Sequence, residues 1–146
     1  MTQKTQITLN EARKVELFHN RFRELTDHLV RGWKNEYELA LALGDNLEAA
    51  KEKLKIDAMH HIQRLAQEAS HEASLSALIK TFNSRVEAVR KVLEQRINEA
   101  KVSGNKEKEI NFRIELGIYE GPPQGFIWSA LKELGEEELY GVINHE

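Results

Sequence analysis

Two pairs of residues in this chain have the types and spacing of metal ligands: Glu16 with His19, and Glu68 with His71. Di-iron carboxylate bundles use Glu-x-x-His pairs because residues three apart share one face of a helix, and glutamates from two other helices complete the site. Here both pairs lie largely outside the apolar stripes of their predicted helices, where side chains meet solvent. We therefore predict no metal site and no cofactor, with a carboxylate metalloprotein as an alternative.

A second pattern places His28 five residues after Arg23, with both residues beside the apolar seam of the first predicted helix. It resembles the short arginine–histidine motif of the HEPN class of helical ribonucleases. That resemblance covers two residues and implies that arginine and histidine from two subunits meet in the cleft of a dimer. The chain has no phosphate-binding loop, no Gly-x-Ser-x-Gly sequence and no dinucleotide fingerprint. We predict a protein that is not an enzyme, with a HEPN-like ribonuclease as a further alternative.

The composition limits the kinds of fold and of functional site that this chain can have. At 146 residues the chain has the length of one domain, and 40% hydrophobic residues with two prolines fit a folded, helix-rich protein. Disulfides, thiolate metal sites and cysteine nucleophiles are excluded because there is no cysteine. The sequence also lacks the run of about 18 apolar residues that a membrane span requires, and its first residues do not predict a signal peptide. We therefore predict a cytoplasmic protein without membrane contact.

The stretch from Ser74 to Gly104 is the main predicted element that would position a site. Its apolar residues recur at intervals of eleven, or about 3.67 per turn, so their stripe runs nearly parallel to the axis of a straight helix. Basic side chains lie on both shoulders of the stripe. The pattern predicts a helix that packs against other helices along its length. The apolar positions are Leu75, Leu78, Phe82, Val86, Val89, Leu93, Ile97 and Ala100.

This basic helix suggests a second class of partner. Residues 75–103 carry a net charge of +3 and residues 104–146 a net charge of −5. Cations on a helix can bind nucleic-acid phosphates, so a nucleic-acid-associated accessory protein is an alternative. Because four of the six cations flank the apolar stripe, we favour pairing with acidic side chains such as the glutamates near the C-terminus. The candidate nucleic-acid-binding residues are Lys80, Arg85, Arg90, Lys91, Arg96 and Lys101.

Two helices are predicted before this stretch. A capping box of Thr8 and Glu11 begins the first, which runs from about residue 8 to 31 and ends near Gly32. Residues 35–43 fit a buried helix or, less well, a strand, and the Gly-Asp-Asn sequence that follows is a break or a tolerated interruption. The second helix covers about 47 to 73. Three serines within 70–76 favour a break there, and one continuous helix over 47–103 is the alternative.

Beyond Gly104 the spacing of the apolar residues changes. Apolar residues alternate with polar ones or glycine over 110–118, which predicts a half-buried strand. Its pairing partner would be residues 5–9 or the same strand of a second subunit. The sequence GPPQG at 121–125 predicts a turn that ends the strand.

The last segment is predicted to form a short helix through Leu134 with Gly135 as its C-cap, followed by a second short helix with glutamates in its first turn. Its apolar cluster either caps the end of the helical body or docks into a groove of a partner protein. The candidate partner-binding residues are Phe126, Ile127, Trp128, Leu131 and Leu134.

Together these patterns predict a mainly α fold. An antiparallel helical bundle or coiled-coil hairpin would occupy residues 1–104, and a small strand-turn-helix appendix residues 105–146. We expect a homo-oligomer, with a dimer favoured, because an unpaired strand and long apolar seams need further surface. The predicted function is that of a non-enzymatic interaction protein, an adaptor, accessory or inhibitor that acts on another protein through helix faces and the C-terminal docking helix.

Overall fold

Helices account for all regular secondary structure in the part of the chain that the computed structural model describes, residues 10–144, with side chains described as far as Gly141. The predicted mainly α class is confirmed, and the predicted strand is wrong. Residues 5–9, the suggested strand partner, lie outside the described range. The helices are α1 (Glu11–Ala42), α2 (Asn46–Ala69), α3 (Leu75–Ser103), α4 (Lys106–Glu120), α5 (Pro122–Glu133) and α6 (Glu137–Asn144).

The start of α1 is capped by a side chain and tied to α3. Asn10 is the N-cap, and its Oδ1 accepts a hydrogen bond from the backbone N–H of Arg13 at 2.8 Å. Glu11 accepts one at 2.9 Å from the backbone N–H of Leu75, the first residue of α3. Thr8, its predicted capping partner, lies outside the described residues. The Glu11 carboxylate therefore satisfies a free amide at the beginning of a different helix.

The predicted end of α1 near Gly32 is wrong, because the helix continues to Ala42. A glycine inside a helix costs about 1 kcal/mol relative to alanine. Beyond it, Trp33 and Tyr37 pack against the core, and the Lys55 ammonium of α2 lies 5.4 Å from the centre of the Trp33 ring. These contacts with α2 offset the glycine and extend the helix.

Residues 43–45 form a turn that separates α1 from α2, which agrees with the predicted alternative of a break. Gly44 adopts a positive φ of 75°, and Asp45 caps α2 by accepting from the backbone N–H of Glu48 at 3.1 Å. The preceding run 39–43 is helical to Ala42, so the helical interpretation is correct, but the leucines in it are exposed. The expectation that this run is buried is therefore wrong for its leucines.

The predicted break between the second and third helices is confirmed. α2 ends at Ala69, and α3 begins after Ser74, whose Oγ accepts a hydrogen bond from the backbone N–H of Ala77 at 3.1 Å. Gly104 ends α3 in the left-handed conformation, with φ of 76°. The alternative of one continuous helix over 47–103 is wrong. Seven of the eight predicted stripe residues are buried, and Val89 is partly buried.

Residues 110–118, predicted as a strand, form the middle of helix α4. Asn105 caps this helix by accepting from the backbone N–H of Lys108 at 3.1 Å, and two glutamates lie in its first turn. At about 100° per residue, positions 110, 114 and 118 share one flank, and positions 112 and 116 share the opposite flank. Since α4 packs against both α2 and α3, alternation here reflects two apolar flanks of one helix.

The first C-terminal helix, α5, begins directly after Gly121. Pro122 and Pro123 occupy the first turn of α5, where a missing N–H leaves no intrahelical hydrogen bond unmade. The predicted turn at 121–125 is thus largely the beginning of a helix. Gly135, with φ of 71°, follows α5 and precedes α6, in agreement with the prediction of two short helices.

Consecutive long helices run in opposite directions, since later residues of one helix contact earlier residues of the next. α1 packs on α2, α3 packs on α4, and α2 contacts both α3 and α4. The turns at 43–45 and 104–105 consequently lie at one end, which we call the open end. The start of α1, the turn at 70–74, α5 and α6 lie toward the other, which we call the closed end. α5 contacts α1 and α4, and α6 contacts α5 and α3.

The hydrophobic core is centred toward the closed end. Phe22 of α1 packs edge-on to Phe82 of α3, with ring centres 5.3 Å apart, and edge-on to Phe126 of α5 at 6.4 Å. Ile127 and Leu131 of α5 are fully buried in the same cluster. The core therefore contains residues from both sides of Gly104, and the division into a body and an appendix remains a prediction.

Candidate interaction surface

The predicted docking helix contributes much of its apolar cluster to the core. Ile127 and Leu131 are fully buried, and Phe126 and Leu134 are partly buried against the core. Trp128 is 41% exposed and lies edge-on to Tyr140 of α6, with ring centres 5.4 Å apart. Of the five predicted partner-binding residues, Trp128 is the one that α5 presents to solvent.

The basic shoulders of α3 face neighbouring helices of the same chain. On one shoulder, Arg85 forms an ion pair with Glu68 of α2. On the other, Arg90 pairs with Glu87 of its own helix at 2.8 Å and with Glu120 of α4 at 3.5 Å. These contacts occupy two of the six predicted nucleic-acid-binding residues.

The remaining cations of α3 differ in their surroundings. The Arg96 guanidinium lies 5.9 Å from the centre of the Phe112 ring of α4. Lys80 lines a polar cavity and also takes part in further contacts. Lys91 and Lys101 are exposed. The six predicted residues therefore do not form one continuous phosphate-binding face.

Two of the glutamates near the C-terminus pair with α1, not with α3 as expected. Glu133 accepts a hydrogen bond from Arg21 Nε at 2.6 Å, and Glu136 lies 2.6 Å from Lys14 Nζ. The hydrogen bond to Glu136 raises the pKa of Lys14. The two ion pairs attach the end of α5 and the turn after it to the first half of α1.

The residues that resemble the HEPN motif lie on the exposed side of α1. Arg23 is exposed, and its Nε lies 3.8 Å from the Asp27 carboxylate. His28 is exposed and lines a shallow groove together with Arg21 and Asp27. Arg23 does not line that groove, so the two motif residues do not converge on one cavity in this chain.

The two Glu-x-x-His pairs are separated from other ligands. Glu16 pairs with Arg13 at 2.5 Å, and Glu68 pairs with an arginine of α3. His71 is exposed in the turn after α2. Burial lowers the pKa of the half-buried His19. Between residues 10 and 144 no group of three or more His, Asp or Glu side chains is arranged to hold a metal ion.

A partly buried polar pair joins α2 to α4. His61 Nδ1 and Tyr119 Oη are 2.5 Å apart. Burial lowers the pKa of His61 and raises the pKa of Tyr119 to about 12, so the neutral forms of both groups are favoured. Burial also raises the pKa of neighbouring Glu115. The prediction that His61 is a boundary histidine with a satisfied hydrogen bond is confirmed.

A polar cavity of about 630 Å³ lies between α3, α4, α5 and α6. Gln124 Nε2 donates to Asn83 Oδ1 at 3.2 Å on its wall. Its charged lining residues are two cations and two glutamates, so the cavity has no net preference for an anion or a cation. It could bind water or a neutral polar molecule.

Among the described residues, six of the eight large apolar side chains that are exposed lie toward the open end, and sequence reasoning assigned no function to them. Four leucines at the α1–α2 turn, which we call the leucine tip, are 49–74% exposed. At the α3–α4 turn, Val102 is 90% exposed and Ile110 is 53% exposed. The sequence did contain a signal for this exposure, because leucines occur at alternate positions before a glycine turn. Such spacing cannot place every leucine on one helix face, so some of them must lie outside the core. The leucine tip consists of Leu39, Leu41, Leu43 and Leu47.

Comparison of the chain with protein-family models, curated proteins and solved structures yields no match. Among the described residues, no helix is long and apolar enough to cross a membrane.

Proposed function

We propose that this protein is a non-enzymatic interaction protein, built as an antiparallel helical bundle, that binds another protein molecule through the leucine tip at its open end. The observation that carries this proposal is the exposure of Leu43 and Leu47, at 74% and 72%. Burying a leucine side chain contributes about 1.5–3 kcal/mol, so a partner that covers several of them gains substantial binding energy. Leu39 and Leu43 are four residues apart and share one side of α1 at its end, and neighbouring exposed apolar side chains are typical of interaction sites.

The surroundings of the leucine tip support recognition by a protein. The tip extends from helices anchored by a packed core, so it presents its side chains with little loss of conformational freedom on binding. Trp128 adds an exposed aromatic side chain on another face. We propose Trp128 as a secondary contact, because the other members of the predicted docking cluster are covered by helices of the same chain.

A homo-oligomer remains part of this proposal, because the second molecule bound by the tip can be another copy of the chain. The nucleic-acid alternative has weaker support, since Arg85 and Arg90 are engaged in ion pairs within the chain. A basic α3 face that binds RNA or DNA would lose affinity steeply with added salt. Fluorescence anisotropy with labelled RNA and DNA between low and physiological salt distinguishes that alternative.

The test of the proposed function compares three forms of the immobilised full-length chain. These are the wild type, the double variant Leu43→Ser with Leu47→Ser, and the control Val92→Ser, which changes an exposed valine away from the tip. Proteins captured from source cells are quantified by mass spectrometry, and each candidate is purified and measured against all three forms. We expect a partner whose affinity falls about tenfold or more with the double variant and little with the control. Equal affinity for all three forms would contradict the proposal.

A further inference from the structure

We infer that the open end binds a second copy of this chain, with the leucine tip of each copy against the α3–α4 turn of the other. This inference rests on the proposed function and specifies its partner. Both turns lie at the same end of the structure, and both carry exposed apolar side chains. At the α3–α4 turn these are Val102, at 90% exposure, and Ile110, at 53%.

The charges at the two turns are complementary. Residues 35–50, which contain the leucine tip, carry four acidic residues and no basic one. Residues 100–108, which we call the lysine turn, carry three lysines and one glutamate. Like charges placed against each other in an interface are unfavourable, whereas opposite charges favour and orient association. A leucine tip is therefore better matched by a lysine turn than by a second leucine tip.

The positions of the turns are compatible with two-fold symmetry. In a two-fold interface the same surface is used by both copies, so a contact from the tip to the turn is made twice. That requires both partners of the contact to lie on one surface, and the open end contains both. The copies would then meet end to end. α1 has 32 residues, which corresponds to a length of about 48 Å at 1.5 Å per residue, so the dimer would be markedly elongated.

Among the described residues, the closed end does not offer an equivalent surface. The large apolar residues of α5 at that end are buried or partly buried, apart from Trp128. The acidic groups there, Glu133 and Glu136, are engaged by Arg21 and Lys14 of α1. Apolar exposure and unmatched charge of both signs therefore occur together at the open end.

The test uses charge reversal in the full-length chain, whose monomer mass is 16.8 kDa. One variant carries Glu36→Lys and Glu38→Lys beside the leucine tip, and a second carries Lys106→Glu and Lys108→Glu in the lysine turn. A third combines all four substitutions. All four positions are exposed, and circular dichroism verifies that each variant remains helical. Molar mass is measured by light scattering over about 10 μM to 1 mM, and the maximum dimension by small-angle X-ray scattering.

We expect a wild-type dimer about twice as long as the monomer, with each two-site variant dimerising about tenfold more weakly or worse. The combined variant should recover wild-type dimerisation to within about threefold, because opposite charges again face each other across the interface. In a dimer joined by two leucine tips, Glu36→Lys with Glu38→Lys would replace one like-charge contact by another and leave dimerisation nearly unchanged, and that result would overturn the inference. A wild type that stays monomeric at 1 mM would also overturn it.

These outcomes separate the inference from the proposed function. If the wild type is a monomer but a different protein binds in a manner that depends on Leu43 and Leu47, the proposed function stands and the inference fails. If neither dimerisation nor capture depends on the leucine tip, both fail. A dimer that tolerates Leu43→Ser and Leu47→Ser but not the charge reversals would also overturn the inference, because the apolar contact is part of it.

Discussion

The closed end and the open end are formed by the same long helices, yet they place apolar side chains in opposite environments. At the closed end Phe22 packs on both Phe82 and Phe126, and these rings are covered by helices from three parts of the chain. At the open end the leucine tip and Val102 face solvent. The difference arises because α5 and α6 return to the closed end.

This contrast separates the residues that stabilise the fold from those available for binding. A side chain that is already buried contributes to folding and has little further surface to offer a partner. An exposed leucine contributes little to folding and can contribute to association when it is covered. We therefore expect substitutions at the two ends to affect different measurements, stability at the closed end and binding at the open end.

The strongest test of this contrast is Phe22→Ala at the closed end. Phe22 is 1% exposed and contacts aromatic rings of α1, α3 and α5. Its truncation removes buried apolar surface and leaves a cavity, so the free energy of unfolding should fall by about 3–5 kcal/mol. Urea denaturation followed by circular dichroism measures the change.

The matched change at the open end is the double variant Leu43→Ser with Leu47→Ser. Because both side chains are largely exposed, we expect each substitution to alter the free energy of unfolding by about 0.5 kcal/mol or less. These measurements use protein concentrations low enough to keep the chain monomeric. A loss comparable to that of Phe22→Ala would mean that the leucine tip is part of the folded core, and the contrast between the ends would be wrong.

Two glycine substitutions compare a turn at the open end, where the backbone conformation requires glycine, with the interior of α1, where it does not. Gly104 has φ of 76°, and an alanine there would be strained, so Gly104→Ala should destabilise the fold by about 1 kcal/mol. Gly32 lies inside α1 with no atom within 4 Å of an added Cβ, so Gly32→Ala should stabilise by about 0.5–1 kcal/mol. Thermal unfolding should show shifts of opposite sign. Shifts of the same sign would contradict the different roles of these glycines.

Sequence reasoning predicted the helix boundaries best where capping chemistry is local. Ser74 and Gly104 bound α3 as expected, and Gly135 ends the α5 region, because an N-cap serine or a left-handed glycine acts within a few residues. It failed where tertiary contacts determine the end of a helix. Gly32 was interpreted as a helix end, but packing between α1 and α2 carries the helix ten residues further.

The strand predicted over 110–118 failed for a related reason. Alternation over nine residues is consistent with a strand and also with a helix that has two apolar flanks, and only the neighbours α2 and α3 distinguish them. Asn105 was the local signal that could have favoured helix, since it follows a terminating glycine and precedes glutamates. The candidate surface was missed because the exposure of Leu39 to Leu47 depends on where α5 and α6 pack.

The smallest predicted effect concerns the His61–Tyr119 pair, which joins α2 to α4 beside the core. The folded state lowers the pKa of His61 below its usual 6.5, chiefly through burial and secondarily through Arg64. Below about pH 6.5 the unfolded chain therefore binds a proton more readily than the folded one, and stability falls as the pH falls. His61→Gln should make this decline less steep in urea denaturation between about pH 7 and 5.

The control for this prediction is His28→Gln on the exposed side of α1, which should leave the wild-type slope nearly unchanged. Some slope should remain in His61→Gln, because burial also lowers the pKa of His19. Tyr119→Phe provides a second check, since it removes the hydroxyl that shares a hydrogen bond with the imidazole and should destabilise the fold. If His61→Gln and His28→Gln give the same slope, protonation of His61 does not oppose folding.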